Sequence, residues 1–289
     1  MQIIINLIIF LITLFLYIHI NFQLRTNNDL EILDIDNISK DQLEEVCNYK
    51  QPILFKFYIE ELSEYLRLDN ILANYQTFDV NVRNITDSET TLLPLKLNAA
   101  DELFQKDSSG IYISEYNKDF IEETTTIKRY FESNDLFLRP HLCSECNYDI
   151  LFGSQGSYTP LRYELNVRNF IYVVDGSVEI MLTIPNAIRY LDVIKDYELF
   201  EFRSKYNPFN EADREQLDRV KFLTITLNRG DILAIPFKWF YTIKFATNKT
   251  VVATLKYRVA MNTLAIIPDL AYRFLDSQNI KFNFLNTIS

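Results

Sequence analysis

Hydrophobic positions fall into three regimes along the 289-residue chain. Residues 3–20, Ile-Ile-Ile-Asn-Leu-Ile-Ile-Phe-Leu-Ile-Thr-Leu-Phe-Leu-Tyr-Ile-His-Ile, are apolar on every face, and only His19 can carry charge. At 1.5 Å per residue such a run covers about 27 Å, one hydrocarbon core. It predicts a transmembrane anchor over residues 1–21, with Tyr17 and His19 near the interface. A cleaved signal peptide is the competing reading. It would show a basic start, a shorter apolar stretch and a small-residue cleavage site, and the flanks Met1-Gln and Asn21-Phe-Gln-Leu-Arg supply none of these. A buried core helix is the third. Topology stays open: Arg25 and Lys40 lie on the C-terminal side, while sequons at Asn37, Asn84 and Asn248 would serve a lumenal domain.

Residues 22–35 are polar and acidic and read as a tether. Helical and strand spacing then alternate. Ser39 with Gln42 three residues on predicts a capped helix to about Cys47. Pro52 introduces a strand over 53–57. Leu62, Leu66, Ile71 and Leu72 predict one helix over 59–75, and 78–82 alternates as a strand. A helix is expected over 92–105, a strand over 110–114, and a loop over 151–157. From Asn169 onward period-two runs crowd together: 170–174, 177–182, 222–227, 232–235, 242–245 and 251–257. Asp175-Gly176 and Asn228-Arg-Gly230 mark reversals between them, expected to be hairpin-like. Residues 195–220 read as a charged insertion. Leu270, Phe274 and Leu275 predict a helix within a C-terminal extension, 259–289. The fold class is mainly β with flanking helices.

The length allows one large β-rich domain or two small ones, and 48% hydrophobic residues support a sizeable core. Net charge is -10, and every charged residue lies after residue 21. No Lys/Arg stripe is available to neutralise phosphates, which argues against nucleic-acid binding. No Gly-rich phosphate loop, nucleophile elbow or Ser/His/Asp set can be assembled, and His19 and His141 are the only histidines. His141-x-Cys143-x-x-Cys146 is a weak zinc signal, because a closed tetrahedral site needs a fourth ligand. Glu145 and Asp149 are the candidates for that ligand. A labile disulfide and two reduced thiols in a loop are the alternatives.

Two stretches carry more. They are Tyr158-Thr-Pro-Leu-Arg-Tyr-Glu-Leu-Asn-Val-Arg-Asn-Phe170 and Leu227-Asn-Arg-Gly-Asp-Ile-Leu-Ala-Ile-Pro-Phe-Lys-Trp-Phe-Tyr-Thr-Ile-Lys-Phe245. They resemble the metal-bearing stretches of the cupin-like JmjC family, Thr-Pro-Leu-His-x-Asp and Gly-Asp-x-Leu-x-Ile-Pro-x-x-Trp-Trp-His. The likeness extends to cupin-like proteins of large DNA viruses. It covers residues 36–258 and implies one domain there, a double-stranded β-helix (a cupin/JmjC-like jelly roll), and, in intact members, Fe(II) and 2-oxoglutarate.

In this chain Arg162 and Tyr241 stand where the family has histidines, and Glu164 where it has the acid. Shifting the register by one would put Tyr163 at the first position. A facial triad needs two imidazoles and a carboxylate, and a guanidinium has no lone pair to give. At the 2-oxoglutarate position the chain offers Val178, with Arg168 and Lys244 as remote substitutes. Thr159, Asn169, Trp239 and Phe240 are expected to line the pocket.

The resulting expectation is a membrane-anchored, non-catalytic binding or scaffold module. It has no cofactor, is held to the membrane by residues 3–20, and has a protein or small-molecule partner. The alternative is an oxygenase with an atypical metal site.

Overall fold

The computed structural model describes residues 1–87 and 91–288. The chain opens with helix α1 (Gln2–Leu24), long and apolar enough to cross a membrane. Leu16, His19, Ile20 and Gln23 are less exposed than the rest of it. Their i, i+3, i+4, i+7 spacing makes one stripe. Strand β1 (Leu33–Asp34) follows, inside the stretch read as a tether. Helix α2 (Lys40–Val46) starts at the expected capping box, with Ser39 and Gln42 each accepting the other's backbone N–H.

Strand β2 (Ile53–Lys56) pairs parallel with β1. The single helix expected over 59–75 is two, α3 (Glu60–Tyr65) and α4 (Leu68–Tyr75), because Arg67 is extended. Strands β3 (Asp79–Asn84) and β4 (Leu92–Lys96) come next, then α5 (Leu97–Lys106). The helix expected from residue 92 therefore begins late. Pro94 lacks an amide hydrogen and suits β4, which lies at a sheet edge.

Strand β5 (Tyr112–Ser114) precedes two helices that the sequence reading missed, α6 (Lys118–Glu123) and α7 (Thr125–Asn134). Strand β6 (Cys143–Gly153) then takes up both the Cys-x-x-Cys and part of the expected loop. The remaining strands are β7 (Arg162–Tyr163), β8 (Arg168–Asp175), β9 (Ser177–Thr183), β10 (Val193–Asp196), β11 (Glu201–Ser204), β12 (Leu223–Asn228), β13 (Asp231–Pro236), β14 (Phe240–Phe245) and β15 (Val251–Val259). So the charged insertion contributes two strands. Helices α8 (Ala260–Ala265) and α9 (Ile267–Ile288) end the chain, and α8 packs on α1.

Among the described residues the strands form two sheets. One has nine strands in the order β1-β2-β13-β8-β15-β6-β5-β3-β4, the other six in the order β10-β11-β7-β14-β9-β12. The turns at Gly176 and Gly230 do not close hairpins: β8 and β9 lie in different sheets, as do β12 and β13. Both glycines have positive φ, 75° and 88°, which a side chain would resist.

Between the sheets lie Leu151, Ile171, Val173, Ile180, Leu233, Trp239, Ile243 and Phe245. The opposite face of the nine-stranded sheet, with Ile150, Phe170, Tyr172, Leu255 and Tyr257, packs against Leu43, Leu62 and Phe131 from the helices. Each such side chain contributes about 1.5–3 kcal/mol when fully buried. Strand alternation thus gives β6, β8 and β15 one helix-facing row and one inner row. The inner row turns polar at one end, through Asn147, Asp149, Asn169, Thr254 and Lys256.

Candidate functional site: a buried charge network

The polar end of the inner row meets Arg162, Glu164 and Tyr241. Arg162 and Tyr241 are direct cross-strand partners in β7 and β14, and Arg162 also faces Arg203 of β11. The Arg162 guanidinium lies 5.9 Å from the Tyr241 ring centre. Tyr241 donates its hydroxyl to Glu164 Oε1 at 3.2 Å, and Lys256 Nζ reaches the same oxygen at 2.6 Å. The structure therefore brings the three residues together.

What surrounds Arg162 comes from elsewhere in the chain. Its Nη1 stands 2.6 Å from Glu115 Oε2 and 2.9 Å from Glu201 Oε1. Arg83 bridges the same two carboxylates at 3.0 and 3.1 Å, and Arg203 reaches Glu201 at 3.2 Å. Arg83 and Glu115 are 0% exposed and Glu201 2%. Tyr116 offers its ring to both Arg83 and Arg162, 5.6 and 5.4 Å away.

Local structure fixes these groups. Tyr116 sits at φ 61°, a costly conformation for a tyrosine. Asp149 holds the turn there, accepting the backbone N–H groups of Tyr116 and Asn117 at 2.8 Å each. Glu201 and Arg203 both point inward from β11, while Phe202 between them stacks on Tyr163 at 5.1 Å.

The electrostatics follow. Burial raises the Glu201 carboxyl, but Arg162 and Arg83 outweigh it and bring it down to about 2. Burial drives Asp149 up to about 6, against the pull of Lys256. Burial and then Glu164 push Tyr241 up to about 12. Lys256 is held above its ordinary value: burial lowers it, and Glu164 more than reverses that.

A cavity of about 160 Å³ opens beside Glu164 and Lys256. Tyr116, Asp149, Arg258 and Arg273 line it with them. Arg258 and Arg273 lie over the Phe200 ring at 5.5 and 5.0 Å.

Of the residues expected to line a pocket, Thr159, Asn169, Trp239 and Phe240 do not line this cavity. Thr159 is buried and accepts the Ile243 N–H at 2.9 Å. Asn169 is closest to the network, bonded to Asn166 and to the Ile235 carbonyl. Trp239 is core, its indole N–H donated to the Lys50 carbonyl, and Phe240 packs on Tyr163. Val178 is also core; Arg168 pairs with Glu44, and Lys244 lies over Phe209.

These donors differ from the two imidazoles and one carboxylate of a facial triad. Arg162 is a fixed cation, and the Glu164 carboxylate is held by Lys256 and Tyr241. Among the described residues no three His, Cys, Asp or Glu side chains are grouped to hold a metal ion. Cys143 and Cys146 approach each other at 3.6 Å, but exposed His141 does not join them.

Sequence reasoning missed Arg83, Glu115, Glu201, Arg203 and Lys256. For Glu201-Phe-Arg203 the charged–apolar–charged alternation was the available signal. No protein-family model matches this chain, nor does any curated protein.

Proposed function

We propose that the chain is a membrane-anchored, non-catalytic module built on a double-stranded β-helix of the JmjC kind. The strand order supports the fold assignment. From β6 to β9 and again from β12 to β15, successive strands alternate between the sheets, with β9 and β12 adjacent in one of them. One observation carries the functional reading. The position that the JmjC resemblance gives to a metal-binding histidine holds Arg162, closed between the buried carboxylates of Glu115 and Glu201. A permanent cation there repels a second cation and satisfies the local acids.

The module binds instead through the adjacent cavity, where Lys256, Arg258 and Arg273 face Asp149 and Glu164. The space admits a small polar group, free or on the end of a protein side chain. Helix α1 holds this mouth at a membrane.

Anaerobic Fe(II) loading of the detergent-solubilised full chain tests the proposal, with metal content and succinate release from 2-oxoglutarate measured together. Sub-stoichiometric iron and no succinate are expected. Stoichiometric iron with succinate release overturns the reading. Carbonate extraction of membranes tests the anchor: the full chain is expected to stay in the pellet. A mature N-terminus beyond residue 20 would show a cleaved signal instead.

A further inference from the structure

A regular strand turns residues three apart to opposite faces. Cys143 and Cys146 are three apart in β6, yet their sulfurs meet at 3.6 Å. The ladder with β15 explains this. Arg258 pairs with Glu145 but Val259 with Cys143, so Ser144 is an extra residue in the strand. The bulge rotates Cys143 onto the face that Cys146 already occupies. Both thiols are free, half-buried, and packed at the edge of the helix-covered core.

We propose that Cys143 and Cys146 are a redox-modification site, a dithiol that closes reversibly to an intramolecular disulfide by exchange with a low-molecular-weight disulfide of the glutathione type. In the first step one cysteine thiolate attacks the small disulfide. Its S–S bond breaks, a mixed disulfide forms, and one small thiolate leaves. In the second step the other cysteine attacks the protein-bound sulfur, the Cys143–Cys146 bond forms, and a second small thiolate leaves. The two protons shed by the cysteines go to the two small thiols. The protein loses two electrons and the small disulfide gains them.

Geometry favours the second step. The sulfurs have about 1.5 Å to travel to a bonded distance of about 2.05 Å, and the bulge is the part of the strand that can yield. Burial, and then the Cys146 hydrogen bond, push the Cys143 thiol up to about 11. Attack by Cys143 therefore quickens as the pH rises. The closed ring would contain Glu145, whose carboxylate accepts from Arg258 and Asn147 at 2.8 Å each. All three line the cavity described above, so ring closure bears on its wall.

The test equilibrates the full chain, in detergent, with mixtures of reduced and oxidised glutathione, then quenches with acid, alkylates and analyses peptides by mass spectrometry. At an excess of oxidised glutathione the peptide carrying both cysteines should be two hydrogens lighter and free of adduct. Cys47 should remain alkylated, and dithiothreitol should restore both thiols. In C143S and C146S the remaining cysteine should keep a glutathione adduct in the same buffer, because the resolving thiol is gone. Alkylation of both wild-type thiols in that buffer would overturn the proposal. So would stable adducts on the wild type, or a bond to Cys47 or to a second chain.

Discussion

Replacing Arg162 with methionine measures what the buried network is worth. Methionine keeps much of the apolar stem and removes the charge. Glu115 then keeps only Arg83, 3.0 Å from its Oε1, with Oε2 left unpaired, and Glu201 Oε1 loses one of its two cations. Glu115 is 0% exposed, so water cannot stand in. Removing one partner of a buried pair costs about 3–5 kcal/mol, against about 0–1 kcal/mol for an exposed pair. With a urea m-value of about 2–3 kcal/mol/M, the midpoint should fall by roughly 1–2 M.

The assay is urea unfolding of the full chain in mild detergent, followed by the fluorescence of Trp239. That residue is the single tryptophan and is fully buried between the sheets. The double variant R162M/E115Q removes one charge of each sign and should recover a large part of the loss. E115Q alone completes the cycle, and the coupling should reach about 1–3 kcal/mol. A loss under about 1 kcal/mol for R162M, or strict additivity in the double variant, would refute the reasoning.

Two further outcomes follow from the same geometry. Glu201 is held at about 2 against an ordinary 4.5, so it favours the folded state above about pH 4.5 and loses that contribution as the pH falls toward 2. The amount is about 3 kcal/mol. Urea midpoints measured down through this window should fall for the wild type and flatten for E201Q, and identical acid profiles would exclude the mechanism. Gly176→Ala puts a Cβ 2.4 Å from Thr250 Oγ1 at a backbone φ of 75°. A loss of at least about 1–2 kcal/mol is expected from the backbone alone, and an unchanged midpoint would contradict it.

The fold was largely legible where one side of a strand faces apolar core. The runs at 170–174, 232–235 and 251–257 became β8, β13 and β15 because both faces of that sheet are covered. The Cys-x-x-Cys strand was not legible, since the inner row of β6 carries Glu145, Asn147 and Asp149 at the polar mouth. Those residues look like a loop when read one at a time. The site was half legible. Arg162, Glu164 and Tyr241 could be brought together from two motifs, whereas Glu115 and Glu201 reach Arg162 from 47 and 39 residues away in the chain, and Arg83, 79 residues away, shares both carboxylates with it. Charge partners at such separations leave no local pattern.

The same inner row ties the cavity to helix α1. Lys256 and Arg258 line the cavity from β15, which runs directly into α8 at Ala260. Helix α8 packs on α1, and Leu16 and Ile20 belong to the less exposed stripe of that helix. Two half-buried aliphatic side chains contribute about 1 kcal/mol each. Deleting residues 1–24 should therefore leave the inter-sheet core intact but loosen α8 by about 2 kcal/mol, a roughly thirtyfold faster local opening. Hydrogen exchange, compared between the full and shortened chains in the same detergent, reads this directly. Amides over 260–266 should exchange faster without α1, while those of β8 and β13 should not change. Equal protection at 260–266 would mean that the α1–α8 contact carries no energy, and that α1 and the cavity are mechanically independent.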